Sequence, residues 1–284
     1  MIKTYYRLAK PGIIYGNDIN ATAGFFLASP AAVNWGRLLA MLAGLSLIIG
    51  SACVFNNYID RELDKKMART KNRALAAGKV ATNEALAYAT ALLLIGSTVL
   101  GVFTNTLALA LALLGFVIYV FAYSPAKPRT YWATIIGSFA GAMPPVVGYT
   151  AVTGRIDWAA LLLFLILIFW QMPHFYSIAI YRAKDYRSAG VPVLPQIKGV
   201  RAAKVQMAGY ITAFTAASLL LTTLGYTGYV YALVVAAICF GWLRLALIGF
   251  NSKDNIAWAR QMFKFSLLVT LVWAFMTAVG GRLP

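Results

Sequence analysis

Charge is what this chain has least of. Only 12% of its 284 residues are Asp, Glu, Lys or Arg, about half the share found in a soluble domain, which excludes an ordinary water-soluble globule. Acidic residues are rarer still, eight against 25 Lys and Arg. There is a single histidine, His174, and two cysteines, Cys53 and Cys239, each inside an apolar run. A disulfide framework is not expected, and no Cys/His spacing suits a metal. The opening residues show neither a cleavable secretory pattern nor an Arg/Ser-rich import presequence, because Lys10-Pro11 leads into a stretch interrupted by Asn17, Asp18 and Asn20. A bacterial cytoplasmic membrane is the expected home.

What the chain has in abundance is apolar length. Hydrophobic residues make up 61% of it and the mean hydropathy is +0.73. Most apolar runs are ~20 residues long, enough for a helix to cross the hydrocarbon core. The expected fold is all-α: a polytopic membrane protein with nine transmembrane helices, at roughly 12–29, 36–58, 84–104, 106–123, 132–152, 158–180, 204–224, 228–248 and 258–279. No internal repeat or linker divides it, so residues 1–284 read as one domain. With the N-terminus in the cytoplasm, 22 basic residues fall on the inner side and only Arg37, Arg155 and Arg282 on the outer. This is the partition that the positive-inside rule requires. The net charge of +17 therefore reports topology and contact with the lipid bilayer rather than a nucleic-acid partner. The two long connections, about 59–83 and 181–203, both lie inside and carry most of the ionisable groups, so chemistry is expected at the cytoplasmic face.

Three of the eight acids fall between residues 56 and 73, together with six basic residues. On a helix Asn56, Asp60 and Asp64 share one face, four residues apart. Two like charges at that spacing repel, and neither Asp has a Lys or Arg four residues after it. Glu62 does, in Lys66. A solvated membrane-surface loop accounts for Glu62, Lys65 and Lys66, but not for an acidic face without local counter-ions. A divalent cation accounts for it, with Asn56, Asp60 and Asp64 as candidate ligands. Mg²⁺ is typically held by one or two carboxylates together with phosphate oxygens. Arg69, Lys71 and Arg73 follow one to three helical turns later, and Lys127, Arg129 and Lys184 lie on the same side of the membrane. Their plainer role is anchoring to anionic lipid; grouped behind a metal site they also suit a diphosphate. Such a group stabilises charge on a departing diphosphate, with a long isoprenyl chain among the apolar helices.

The second inner connection begins within a span. Gln171, His174, Tyr181 and Asp185 fall near one helical face, and Pro173 is expected to kink or open the helix. His174 reads equally as a hydrogen-bonded structural group and as a substrate contact, since ionisable groups within a span face interior cavities. Asp18 and Asn20 read as interhelical hydrogen-bonding groups, Asn17 less so. Gly137 and Gly141-Ala142-Met143-Pro144-Pro145 are expected to allow close helix approach or break a span.

At these residues the chain resembles the intramembrane prenyltransferases of the UbiA superfamily. Their first motif reads Asn-Asp-x-x-Asp-x-x-x-Asp, and Asn56, Asp60 and Asp64 match it in register, with Asn57 where many members have Asp. The stretches Lys10–Asn17, Cys53–Arg61, Met67–Arg73, Gly141–Tyr149, Trp170–His174 and Lys184–Pro195 resemble its heme-modifying members more closely, over nearly the whole chain. The resemblance implies a nine-helix bundle with a cytoplasm-facing pocket. It also implies Mg²⁺-dependent transfer of farnesyl from farnesyl diphosphate to a vinyl group of heme B, with addition of water. Asn17, Gln171, His174, Tyr181 and Asp185 are then candidates for binding the acceptor or handling a proton. Contact with heme A pathway or heme-copper oxidase assembly proteins is a further implication. Two departures stand out: Asp185 lacks the partner of a second Asp-x-x-x-Asp motif, where Lys184 offers charge instead, and Glu62 replaces a common Asp. The rival readings are prenyl transfer to an aromatic or quinone precursor, which usually goes with both motifs, and transport, which goes with inverted repeats not visible here.

Overall fold

The computed structural model describes residues 2–29 and 31–284, the side chain of Ile2 apart. All regular structure among them is helical. A short α1 (Ile2–Leu8) precedes α2 (Pro11–Leu27), α3 (Trp35–Ile59), the one-turn α4 (Arg61–Lys65) and α5 (Thr82–Phe103). The next rod begins as α6 (Thr106–Val117), widens into a π-helical turn at Ile118–Tyr123 and ends as α7 (Ser124–Ala126). Then come α8 (Ala133–Gly141), α9 (Met143–Thr153), α10 (Trp158–Tyr181), the loop helices α11 (Ala183–Ser188) and α12 (Leu194–Ile197), and α13 (Gly199–Thr223), α14 (Tyr229–Ile248) and α15 (Asn255–Gly280).

Eight rods are long and apolar enough to cross a membrane, the sixth and seventh helices forming one with the π turn, and α8 with α9 another. The ninth, α2, has 17 residues, about 25 Å of helix, and runs against α9 and α15. Its start is fixed sharply. Pro11 occupies the first turn, where a missing N–H costs nothing, and Lys10 before it is left-handed at φ 56°. The nine-helix expectation holds, with edges moved by a few residues.

Small residues set the spacing. A Cβ on Gly24 would lie 2.0 Å from Pro145 O, and one on Gly148 would lie 1.9 Å from Ala21 O, so α2 and α9 touch backbone to backbone. The 132–152 span is broken between α8 and α9. Pro144 and Pro145 offer no N–H to the preceding turn, and Gln171 on α10 donates to Ser138 O at 3.0 Å. Pro173, by contrast, is carried inside a continuous α10. The largest core packs α10 against α13, α14 and α15, and a second core joins α2, α3, α6 and α9.

Candidate active site

The acidic stretch lies where α3 gives way to α4. Asp60 stands at the junction, and Asp64 N donates to Asp60 O at 2.7 Å, so the helical path continues and the two acids stay on adjoining turns. Both are almost wholly buried, 3% and 1% exposed. Their counter-ions come from outside the helix. Lys127 Nζ donates to Asp60 Oδ2 at 2.6 Å, and Arg73 Nη1 donates to both oxygens of Asp64 at 3.0 and 2.8 Å. The local reading of an unneutralised face is therefore corrected: the sequence neighbours are absent, but tertiary partners are present. Glu62 pairs with Lys65 at 2.9 Å rather than with Lys66.

Arg73 reaches Asp64 because residues after Lys65 do not continue as helix. Thr70 is buried and its Oγ1 donates to Asp64 O at 3.0 Å, while Arg73 N donates to Thr70 O. The chain thus folds back over the helix end, and Arg69, Lys71 and Arg73 are not stacked on successive helical turns. The wide turn at Ile118–Tyr123 does the same service for Lys127. It leads into Ser124, whose Oγ accepts from Asn56 Nδ2 at 2.9 Å. Asn56 Nδ2 lies 3.2 Å from Asp60 Oδ2, and its Oδ1 accepts from Lys10 Nζ at 2.7 Å. Burial lowers the pKa of Lys10 from 10.5 to about 8. At Lys127 burial opposes the charge, but Tyr123 and the Asp60 carboxylate outweigh it and the pKa rises.

The remaining cations among the candidates, Arg69, Lys71, Arg129 and Lys184, are exposed around this cluster. The two long connections close over it together: Ser188 Oγ donates to Lys66 O at 3.0 Å, and Met67 packs with Ala189, Val191 and Val193. Lys184 and the half-buried Asp185 ride on α11 within that cover. Burial raises the Tyr186 phenol, with Tyr123 adding to the effect and Lys127 and Arg69 opposing it, which places this ring beside the cations.

A second polar group lies between α10 and α15. His174 Nδ1 is 2.8 Å from Ser266 Oγ, and its ring stacks on Trp170 at 4.8 Å and leans on Phe263 at 5.0 Å. Trp170 Nε1 donates to Ser266 O, and Tyr181 meets Phe263 edge-on at 5.7 Å. Gln171 Nε2 donates to Ser138 O and Leu167 O, linking α10 to the broken span. Asn17 donates to Ile13 O of its own helix, whereas Asp18 accepts from Ser46 and Asn20 accepts from Thr270, the interhelical role expected of those two.

Residues 19–268 match the model of the UbiA prenyltransferase family. The chain belongs to that family. Relatives named protoheme IX farnesyltransferase, from Serratia proteamaculans (strain 568) and Yersinia enterocolitica, are each 48% identical. The first alignment covers 98% of this chain and 95% of the relative, the second 100% and 96%. Among solved structures, one of digeranylgeranylglyceryl phosphate synthase superposes with a TM-score of 0.81 at 19% identity, covering 99% of this chain and 98% of the other. A UbiA homolog from Archaeoglobus fulgidus bound to DMAPP and Mg²⁺ gives 0.67 at 15%, covering 97% and 99%. At these identities the solved structures speak for the fold.

As a UbiA family member the chain has a donor set suited to a hard cation. Asp60, Asp64 and Asn56 offer only oxygens from two adjoining turns, the chemistry Mg²⁺ prefers. The carboxylates are held by Arg73 and Lys127, whose long side chains can turn aside. Three participants were not singled out from the sequence. Lys10 counted toward topology and opened a resembling stretch, but was given no place at the site, although a cation next to a helix-starting proline was visible. Ser124 and Ser266 carried no signal, being ordinary hydroxyls until the fold brings Asn56 and His174 to them.

Proposed function

We propose that this chain is a heme O synthase. It transfers farnesyl from farnesyl diphosphate to a vinyl group of heme B, adds water and releases diphosphate. The observation that carries this reading is 48% identity over almost the whole of a protoheme IX farnesyltransferase, in a chain whose buried acid pair sits among cations at one end of an apolar bundle.

Mg²⁺ held by Asp60 and Asp64, with Asn56, would supply positive charge opposite the departing diphosphate. Arg73 and Lys127 stand against those carboxylates and turn their charge onto the diphosphate when it arrives. Arg69, Lys71, Arg129 and Lys184 form the outer ring that draws the anion in. Lys10 holds the Asn56 amide in place. The farnesyl C1–O bond breaks with its electron pair leaving on diphosphate, and a vinyl carbon of heme B bonds to C1. Water then captures the cation left beside the porphyrin and gives up a proton. Apolar helices keep bulk water from the farnesyl cation before that step. Among the described residues His174 Nε2 makes no hydrogen bond, so it and the Tyr181 hydroxyl are the groups assigned to the acceptor and its proton. Asn17 and Asp185 stand farther out as acceptor contacts.

The multi-pass chain lies in the bacterial inner membrane with its N-terminus and acid cluster toward the cytoplasm, as the distribution of Lys and Arg supports. Its tailed product passes to proteins that make heme A or assemble heme-copper oxidases. The decisive experiment incubates purified protein with heme B, farnesyl diphosphate and Mg²⁺ and weighs the porphyrin. Heme O is expected. Prenylated product in a parallel run with 4-hydroxybenzoate, and none with heme, would transfer the assignment to an aromatic prenyltransferase.

A further inference from the structure

Away from the acid cluster, a groove of ≈ 570 Å³ runs between α14 and α15. It lies toward the same end of the bundle as the acids. Lys204 on α13 binds both Gly249 O and Asn255 Oδ1 there, at 2.6 and 2.5 Å, tying the α14–α15 connection to the end where α13 begins. Arg244, Gln261 and Lys264 line the groove together with Gly241, Ile248 and Phe265. Gly241 seats the Phe265 ring, 3.2 Å from where a Cβ would stand, and this contact floors the groove.

The two cations differ from the one that ties down the nearby connection. Lys204, one helix away, gives its charge to protein oxygens. Arg244 and Lys264 are exposed and, among the described residues, neither has a hydrogen-bond or ion-pair partner. The acid nearest in sequence, Asp254, is occupied in capping α15, accepting from Ile256 N and Ala257 N. Plain anchoring at the interface would have each side chain reach outward separately. Helical side chains lean toward their own N-terminus, and α14 and α15 run in opposite directions. Arg244 stands about 6 Å of helix from the end of α14 at Ile248, and Lys264 about 13 Å from the start of α15. The first leans inward and the second outward, so their heads converge at one level of the groove.

We infer that this groove binds an anionic phospholipid. The headgroup phosphate lies between Arg244 and Lys264, with Gln261 as a third donor, and an acyl chain runs inward from it past Leu268, about half exposed. Basic pockets between membrane helices bind lipid phosphates in this way.

The test is native mass spectrometry of the purified full-length chain offered phosphatidylglycerol, cardiolipin and phosphatidylethanolamine. The wild type is expected to retain the two anionic lipids and to release the zwitterionic one. R244Q/K264Q should weaken anionic retention roughly thirtyfold, about 2 kcal/mol, and R244K/K264R should restore it, with farnesyl transfer kept in both. Equal retention of phosphatidylethanolamine, or undiminished binding by R244Q/K264Q, overturns the inference. Displacement of the lipid by excess inorganic phosphate overturns the lipid as occupant. Should the glutamine variant not fold, photocrosslinkable phosphatidylglycerol decides on the wild type: labelled peptides within 241–268 uphold the site, and labels confined elsewhere reject it.

Discussion

Two polar clusters lie in the same half of the bundle and are built in opposite ways. Around Asp60 and Asp64 the partners are charged, long and drawn from separate places: Lys10 before α2, Arg73 from a folded-back loop, Lys127 from the end of a widened rod. Around His174 the partners are a hydroxyl and rigid rings, contributed by two helices that form the heart of the main core. The first cluster can exchange one anion for another by swinging side chains. The second can change only by repacking α10 against α15. On the proposed function, recruiting a diphosphate calls for the former, and holding a flat acceptor in one pose calls for the latter.

That contrast can be broken by experiment. The largest effect is expected from Asp64→Ala, which should lower kcat by at least about 10²-fold, the scale seen when a transition-state charge contact is removed, with the protein still inserted in membranes. Normal turnover by the purified variant would refute the metal assignment. Arg73→Lys keeps the charge and loses the two-pronged grip. It should raise KM for farnesyl diphosphate about tenfold while leaving KM for heme alone; a change on the heme side instead would merge the two clusters.

Lys10 sharpens the comparison through pH. With burial lowering its pKa to about 8, its charge is present below that value and lost above it. The free enzyme's kcat/KM should therefore fall about tenfold per pH unit above 8, and Lys10→Arg should flatten the fall. Stability moves the other way. An unfolded Lys10 keeps its proton to 10.5, so between about 8 and 10.5 the unfolded chain binds more protons and this residue's contribution to stability rises. Parallel falls in activity and stability would argue against Lys10 as the group responsible. The smallest effect belongs to Gln171→Leu, which removes the side-chain donor from Ser138 O while Ala142 N remains bonded to it, and should cost about 0.5–1.5 kcal/mol of stability. A rise in KM for heme, without a loss of stability, would favour Gln171 as an acceptor contact.

Much of this was legible before any coordinates. Nine rods follow from apolar lengths and from the placement of Lys and Arg, because hydrocarbon thickness and membrane charge act on each segment separately. The acid face was legible for the same reason, since Asn56, Asp60 and Asp64 lie within nine residues of one helical path. What could not be read was who neutralises it. Lys127 is 67 residues from Asp60, and only the packing of α3 beside the wide turn brings them within 2.6 Å. Gln171 shows the same limit: its hydrogen bond to Ser138 O, 33 residues away, appears only once α10 packs beside the broken span. Pro173 is a third case, because α10 runs on through it without a break.

The six residues Ile118–Tyr123 have a consequence for what this rod can tolerate. A π turn holds one residue more than an α turn would, so the length of the chain here, and not only its composition, fixes the angular position of everything after it. Deleting a single residue would let the rod relax to ordinary winding with Ser124 and Lys127 still facing Asn56 and Asp60, whereas adding one with the winding unchanged would swing them round the axis by about 100°. Substitutions along the rod leave that count intact; lengthening it by one does not.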